Sequence, residues 1–189
     1  MAAVLDAFIP TADVRTRHAT LVHAPAPIVF DVARHFNLQS VPLIRRIFAL
    51  RAKILGAGSG SAQNSLAPDD LLRMGWATLA EEPGHVFIAG AACQPWQADV
   101  VFTPIGPERF RLYAEPNRVK VAWTLEAESL GSELTRFATE TRALGTDALA
   151  RSRFRRYWRR FGVGIVAIRW ILLPAIRREA ERRWRASAR

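Results

Sequence analysis

The chain has 189 residues, of which half are hydrophobic and 23% are charged, and its formal net charge is +10. This length suits one well-buried core and is too short for two comfortable domains, and the composition excludes a disordered protein. The single cysteine, Cys93, excludes an internal disulfide and a multi-cysteine metal site.

The two ends of the chain differ in charge. Residues 151–189 contain 13 arginines and two glutamates, whereas residues 1–150 contain 14 basic and 15 acidic side chains. Such an arginine block attracts the phosphate of nucleic acid or anionic lipid, or it forms the solvated side of a long amphipathic helix. Residues 1–10 hold Asp6 and no basic side chain, so we expect no secretory signal and a cytoplasmic protein.

The first third of the chain predicts one strand followed by two helices. Residues 18–24 are rich in β-forming side chains, and two prolines end this strand. Apolar side chains then recur at helical spacing between residues 28 and 36, and again between residues 43 and 55. Residues 56–70 are a loop by composition. Their glycine run lacks the flanking strand and helix of a dinucleotide-binding turn, so we interpret it as a loop at a cavity mouth.

After residue 70 the hydrophobic period becomes that of β-strands. The spacing of Phe110, Tyr113 and Ala114 instead favours a short helix over residues 107–114. We expect strands in the following ranges: 72–80, 85–93, 97–103, 118–127 and 134–142.

The last two of these strands form the clearest hairpin, with residues 129–132 as its turn. A register with Trp123 opposite Phe137 sets apolar side chains together on one face and opposite charges on the other. We expect the charged face to be exposed to solvent. If it lined a cavity instead, its charged side chains would be polar anchors for a ligand. These side chains are Arg136, Glu140 and Arg142.

The last element is a helix that Thr146 or Asp147 caps and that runs nearly to the end of the chain. At ~1.5 Å per residue, an unbroken helix over residues 147–185 would be ~58 Å long. Because this is too long for a domain of this size, we expect a bend near Gly162, and Pro174 should kink the helix.

Residues 161–175 are the most apolar window of the chain. A membrane span needs ~20 such residues, whereas this window has about 15, with Arg169 at its centre. The window therefore predicts a buried helix, and its arginine-rich flanks leave an interfacial membrane helix as the alternative.

Two stretches of the chain carry a resemblance to a known family. Residues 18–30, HATLVHAPAPIVF, contain a strand, an alanine-proline break and the start of a helix, and residues 139–142, TETR, end the last strand before Phe154, Tyr157 and Trp158 of the final helix. With the order of elements, the first stretch resembles the opening of the START-like helix-grip superfamily, the SRPBCC group of polyketide cyclase/dehydrase-like and lipid-transport proteins. The second stretch resembles a bacterial branch of that group.

The resemblance implies an α+β fold in which an antiparallel sheet wraps around a long C-terminal helix, with two short helices after the first strand. We expect residues 1–16 to be an N-terminal extension and residues 17–186 to be a single helix-grip domain. The usual cavity of the group lies between the inner sheet face and the last helix.

The chain is rich in large aromatic side chains, which fill a core or line a pocket for an apolar ligand. We therefore expect binding of a small hydrophobic or aromatic ligand, of the lipid or polyketide type. The alternatives are a cyclase or dehydratase that uses acid–base residues of the same cavity, and a membrane-surface or interaction protein without a ligand. The candidate cavity residues are Trp76, Trp96, Phe102, Trp123, Phe137, Thr139, Phe154 and Trp158.

No histidine pair has metal-ligand spacing, and the chain lacks a nucleophile elbow and a phosphate loop, so we predict no catalytic residue, cofactor or metal. The arginine-rich end should contact an acidic surface. Anionic membrane is favoured over nucleic acid because Trp184 lies among the arginines and residues 1–150 are nearly neutral. The contact residues would be Arg177, Arg178, Arg182, Arg183 and Arg185 at the inner face of the membrane. The sequence leaves the oligomeric state open.

Overall fold

A computed structural model describes residues 4–56 and 67–187, which form an antiparallel sheet and a long C-terminal helix. The strands are β1 (Val14–Val22), β2 (Ala77–Glu82), β3 (Val86–Cys93), β4 (Thr103–Pro104), β5 (Val119–Ser129) and β6 (Thr135–Gly145). The α-helices are α1 (Ala26–His35), α2 (Pro42–Leu55), α3 (Pro68–Arg73), α4 (Pro107–Leu112) and α5 (Ala148–Ser187), and short 3-10 turns cover Val4–Ala7 and Leu38–Ser40.

The six strands pair in the order β1-β6-β5-β3-β2, and β4 adds to β3. One face of this sheet packs on α1 and α5, with Trp123 and Phe137 from the sheet buried against Val29 of α1 and Leu172 of α5. An antiparallel sheet that encloses a C-terminal helix, with two helices after the first strand, is the helix-grip arrangement. The predicted α+β fold is therefore confirmed.

The opposite face of the sheet is also covered. Leu5 and Ile9 of the N-terminal segment and Phe110 of α4 pack against Ile88 and Ala122 of the sheet, and all five side chains are buried. The sheet thus separates two apolar cores. The expectation that this face meets solvent is wrong over this region, because an N-terminal segment without strong periodicity folds back onto it.

The register of the β5–β6 hairpin differs from the prediction. Trp123 pairs with Thr141, and Phe137 pairs with Ala127, so the strands are displaced by four positions from the predicted register. An even displacement leaves every side chain on its predicted face, which is why the faces are right although the partners are wrong. Loop length sets the register, and the loop spans residues 130–134, closed by a hydrogen bond from Leu130 N to Leu134 O.

Three element boundaries also differ. β1 begins at Val14 rather than at residue 18. Pro68 begins the short helix α3 inside the predicted loop, where the Asp70 carboxylate accepts a hydrogen bond from Ala67 N, so β2 starts only at Ala77. Of the predicted strand 97–103, only Thr103 is in a strand. The predicted cavity-mouth loop lies largely outside the described residues, whereas the predicted short helix is present as α4.

The C-terminal helix α5 is continuous over 40 residues and includes Pro174. Asp147 caps it, since the carboxylate accepts a hydrogen bond from Ala150 N at 2.6 Å. The helix is not interrupted at Gly162, where the indole ring of Trp158 lies so close that a Cβ would come within 2.8 Å of it. The glycine therefore gives space to an aromatic side chain instead of ending the element.

Candidate functional site

The predicted aromatic residues form two clusters on the helix-facing side of the sheet. In the first, the Trp76 ring centroid lies 5.0 Å from Phe102 and 6.2 Å from Trp123. In the second, Phe154 lies 6.0 Å from Trp158, and Trp96 packs against the same group. We call these the Trp76 cluster and the Phe154 cluster.

Two further predicted cavity residues are deeply buried. Phe137 has no exposed surface and packs in the core between the sheet, α1 and α5. Thr139 is buried to 2% exposure, and its hydroxyl faces α5. The eight predicted residues are therefore not gathered into one pocket. Five of them lie on β5, β6 and α5, whereas Trp76 immediately precedes β2, and Trp96 and Phe102 lie between β3 and β4.

Arg169 of α5 lies between the two clusters along the helix. Ile165, one turn before it, packs with the Phe154 cluster, and the adjacent Ile168 packs with the core around Trp123. The Arg169 guanidinium donates from Nη1 to Thr139 Oγ1 at 2.9 Å and from Nη2 to Thr141 Oγ1. The Nε–H group is buried and has no hydrogen-bond partner. Sequence reasoning treated this arginine only as an interruption of an apolar window.

The charge of Arg169 has unusual surroundings for an arginine, a residue type that mostly lies at the protein surface. Burial lowers its pKa to about 10, and no carboxylate of the described residues forms a salt bridge with it. The remaining residues, 1–3, 57–66 and 188–189, contain neither Asp nor Glu. The guanidinium charge therefore has no acidic side chain to balance it.

His18 of β1 completes this polar group. It pairs across the sheet with Thr139, and its ring lies edge-on to Trp170 at 6.4 Å. Burial, and then the charge of Arg169, lower the pKa of His18, so the imidazole is neutral at pH 7. Its Nδ1 atom is buried without a hydrogen-bond partner. We call His18, Thr139, Thr141 and Arg169 the Arg169 cluster.

Solvent reaches the middle of the sheet beside this cluster. Val121 and Thr141 lie on the two central strands and face the helices, yet both are only half-buried, as is Arg169. Trp123, two positions further along β5, is 9% exposed. Side chains at the centre of a helix-covered sheet are normally buried, so this part of the helix–sheet interface is incompletely filled.

The described residues form several surface clefts, of which two bear on the prediction. One, of about 310 Å³, lies between β1 and the first half of α5 and is lined by Asp13, Val14, Ser152, Arg155, Arg156, Trp158 and Arg159. The other, of about 290 Å³, is lined by Pro27, Phe30, Asp31, Arg34, His35, Asp69, Glu81, Pro83 and Gly84. Among the predicted cavity residues, only Trp158 lines either cleft. The first volume is at the lower end of the range for small-molecule sites.

Two of the three predicted polar anchors are buried on the opposite face of the sheet. Glu140 and Arg142 are each 1% exposed, and Arg142 Nε donates to Glu140 Oε1 at 2.6 Å. Burial raises the pKa of Glu140, but hydrogen bonds from Arg142 and Arg17 outweigh it, so the pKa is lowered. The prediction that these two side chains face solvent is wrong, because the N-terminal segment covers them and Asp6 pairs with Arg142. Arg136 is exposed and pairs with Glu128, as expected for a solvent face.

The arginine-rich end of α5 is largely engaged in ion pairs. Arg177 pairs with Glu181 at 2.9 Å, and Arg182 and Arg183 both pair with Glu179. Arg178 and Arg185 are exposed and form no ion pair with a described residue.

Within the described residues, no helix combines the length and hydrophobicity that a bilayer crossing needs, and no group of three or more potential ligands is arranged to hold a metal ion. In the apolar window of α5, Ile168 and Leu172 are buried while Val163 and Trp170 are exposed. This is the pattern of a helix with one face in the core.

No family model and no curated protein matches the chain. Among solved structures, the chain is similar to the ZhuI aromatase/cyclase from Streptomyces sp. R1128, with 16% sequence identity over 92% of this chain and 97% of that chain, and a TM-score of 0.31. The helix-grip architecture therefore rests on the elements and packing of this chain itself.

Proposed function

We propose that the protein binds a small molecule with an apolar or aromatic body between the helix-facing side of the sheet and α5. The observation that carries this proposal is the half-buried group at the centre of the sheet, Val121, Thr141 and Arg169, flanked by aromatic rings on both sides. Small-molecule sites combine an apolar lining with a few convergent polar groups, and this region has both.

Catalysis of the cyclase or dehydratase type is the alternative for the same region. It would use the imidazole of His18 and the threonine hydroxyls, since these polar groups lie beside Arg169. We favour binding because the Arg169 cluster contains no carboxylate, and the buried carboxylate of Glu140 lies on the opposite face of the sheet. A general acid–base pair with separated pKa values would need a second titratable group beside His18.

Native mass spectrometry of the protein purified from its own host tests the two functions. A co-purifying ligand of a few hundred daltons that is released by mild denaturation supports binding. Conversion of a supplied poly-β-ketone chain into a cyclised product, followed by the same instrument, would support the enzyme instead. An unliganded protein that binds no apolar probe in titration would contradict both functions.

A second candidate function is attachment to an anionic membrane surface. The exposed side of α2 carries Leu43, Leu50 and Ile54 next to Arg46 and Lys53. Residues 42–55 contain four basic and no acidic side chains, so this helix presents apolar and positive groups together. Interfacial helices bind anionic lipid through this combination. The free arginines near the end of α5 would add to the attraction.

A further inference from the structure

We infer that the ligand of the helix–sheet site carries a carboxylate, which the Arg169 cluster binds. This inference rests on the proposed binding function and specifies the chemistry of the ligand. Three kinds of polar group lie together in this cluster and carry the inference. They are the Arg169 guanidinium with a free Nε–H, the two threonine hydroxyls and the unpartnered Nδ1 of His18, and the two aromatic clusters lie beside them.

The donors of the cluster are incompletely used. A guanidinium has five N–H groups, and Arg169 gives one from each Nη to a threonine, which leaves Nε–H and one N–H on each Nη. Nε–H and an adjacent Nη–H form the parallel pair of donors that a carboxylate accepts. The hydroxyls of Thr139 and Thr141 accept from Arg169, so each retains its own O–H to donate to a ligand oxygen.

The charge of the cluster favours a monoanion. One guanidinium is uncompensated and His18 is neutral, so the site carries a single positive charge. A carboxylate would neutralise this charge, whereas a dianionic phosphate would leave a buried negative charge without a partner. A neutral ligand would leave the guanidinium as it is, and an uncompensated buried charge is costly.

A purely structural explanation of Arg169 is less economical. The arginine joins α5 to β6 through two hydroxyls, but a methionine at this position would fill similar space without burying a charge. Replacing buried charges by apolar side chains of similar volume is often neutral or stabilising. An arginine here is therefore better explained by recognition than by stability.

The test compares acids with their primary amides, which share a body and differ in charge. The probes are 2-naphthoic acid with 2-naphthamide, and octanoic acid with octanamide, titrated by calorimetry into the full chain. Charged hydrogen bonds of this kind change affinity by about 10- to 100-fold, so the wild type should prefer at least one acid over its amide by that factor. Arg169→Met should abolish the preference and still bind the amide.

Two controls separate recognition from folding. Arg109→Met removes the same charge from an exposed position on α4 and should keep the preference for the acid. Arg169→Met should melt at or above the wild-type temperature when no ligand is present. A lower melting temperature together with an unchanged preference for the acid would make Arg169 a structural residue and overturn the inference.

The remaining outcomes distinguish the inference from the proposed function. Equal binding of acid and amide by the wild type would overturn the carboxylate assignment and leave the apolar binding site intact. Binding of none of the four probes would contradict the proposed function and with it the inference. An acid preference that Arg169→Met retains would assign the carboxylate to another cationic group.

Discussion

Two arginines of this protein, each with a buried guanidinium nitrogen, have opposite surroundings. Arg142 lies 2.6 Å from a Glu140 carboxylate oxygen and 2.7 Å from one of Asp6, and these hydrogen bonds raise its pKa although burial alone would lower it. Arg169 contacts only hydroxyls, and burial lowers its pKa to about 10. The first arginine is neutralised by acidic side chains of the fold, whereas the second has no acidic side chain beside it.

Glu140 anchors the neutralised group, so its removal should strongly destabilise the protein. Its carboxylate accepts hydrogen bonds or ion pairs from Arg142, Arg17 and Arg15 at 2.6 to 3.0 Å. Glu140→Gln keeps the shape and removes the charge, and we expect a loss of about 3–5 kcal/mol in the free energy of unfolding, measured by urea titration at pH 7. Glu128→Gln, which breaks the exposed pair with Arg136, should cost at most about 1 kcal/mol.

The stability difference between the wild type and Glu140→Gln should also depend on pH. Because the pKa of Glu140 is lowered below its ordinary value of 4.5 in the fold, its ionised form stabilises the protein fully above pH 4.5. This contribution disappears as the pH falls through the lowered pKa. The stability difference between wild type and Glu140→Gln should therefore be constant from pH 6 to 7 and shrink below about pH 4.5. If this stability difference did not change with pH, the charge of Glu140 would not be what stabilises the wild type.

At the scale of elements, α5 contains two glycines that the sequence does not distinguish. The ring of Trp158 occupies the space beside Gly162, whereas the nearest atom to a Cβ at Gly164 would be Ile47 Cγ2 of α2 at 3.4 Å. The first glycine therefore positions an aromatic ring of the Phe154 cluster. The second permits an ordinary contact between two helices.

Alanine substitutions should separate these two situations. Gly164→Ala should raise the free energy of unfolding by up to about 1 kcal/mol, because alanine is the better helix former and the contact with Ile47 is tolerable. Gly162→Ala has the same helical gain but must displace the ring of Trp158, so we expect a net loss of about 1–3 kcal/mol and a shifted tryptophan emission. Equal stabilisation by both substitutions would show that Trp158 moves without cost.

At the scale of the whole molecule, only some of the arginines at the end of α5 carry a positive charge without an acidic partner. Arg177, Arg182 and Arg183 have acidic partners, and the end of α5 also supports the fold, since Ala180 is fully buried and Trp184 packs against the core. Deleting this end would therefore disturb packing. Substitution of the unpaired arginines is the cleaner test of membrane attachment.

Liposome flotation should show binding to vesicles with anionic lipid and little binding to zwitterionic vesicles. Each basic residue near an anionic surface contributes about 1 kcal/mol, so Arg178→Gln with Arg185→Gln should lower the partition coefficient by roughly tenfold or more. Leu43→Ser with Leu50→Ser should lower it as well if α2 inserts its apolar side chains.

The control is Arg109→Gln with Arg111→Gln, which removes the same charge from two exposed positions on α4, outside α2 and α5. An equal loss of vesicle binding in the control would mean that only the net charge of the protein matters. No flotation of the wild type would mean that the arginines only solvate the helix.

The hydrophobic periods of the sequence, two residues in strands and helical spacing in helices, determined the main elements and the faces that they bury. The two-residue period of residues 119–125 assigned Trp123 to the helix-facing side of the sheet, and helical spacing after Asp147 assigned a long helix with a buried face. These properties are local, because side-chain direction follows from the period of the backbone. They also place Arg169 on the buried face of α5, in line with Ile165, Leu172 and Ile176, so the spacing held a signal for the candidate site.

Only the tertiary structure decided which partners these faces meet. An even displacement in the β5–β6 register changes no face, so the alternating pattern did not select Thr141 over Phe137 as the partner of Trp123. The burial of Glu140 and Arg142 depends on Asp6 and Ile9, more than 130 positions away in sequence. The Arg169 cluster likewise joins β1, β6 and α5, and no local pattern encodes the absence of a carboxylate from the place where three distant segments meet.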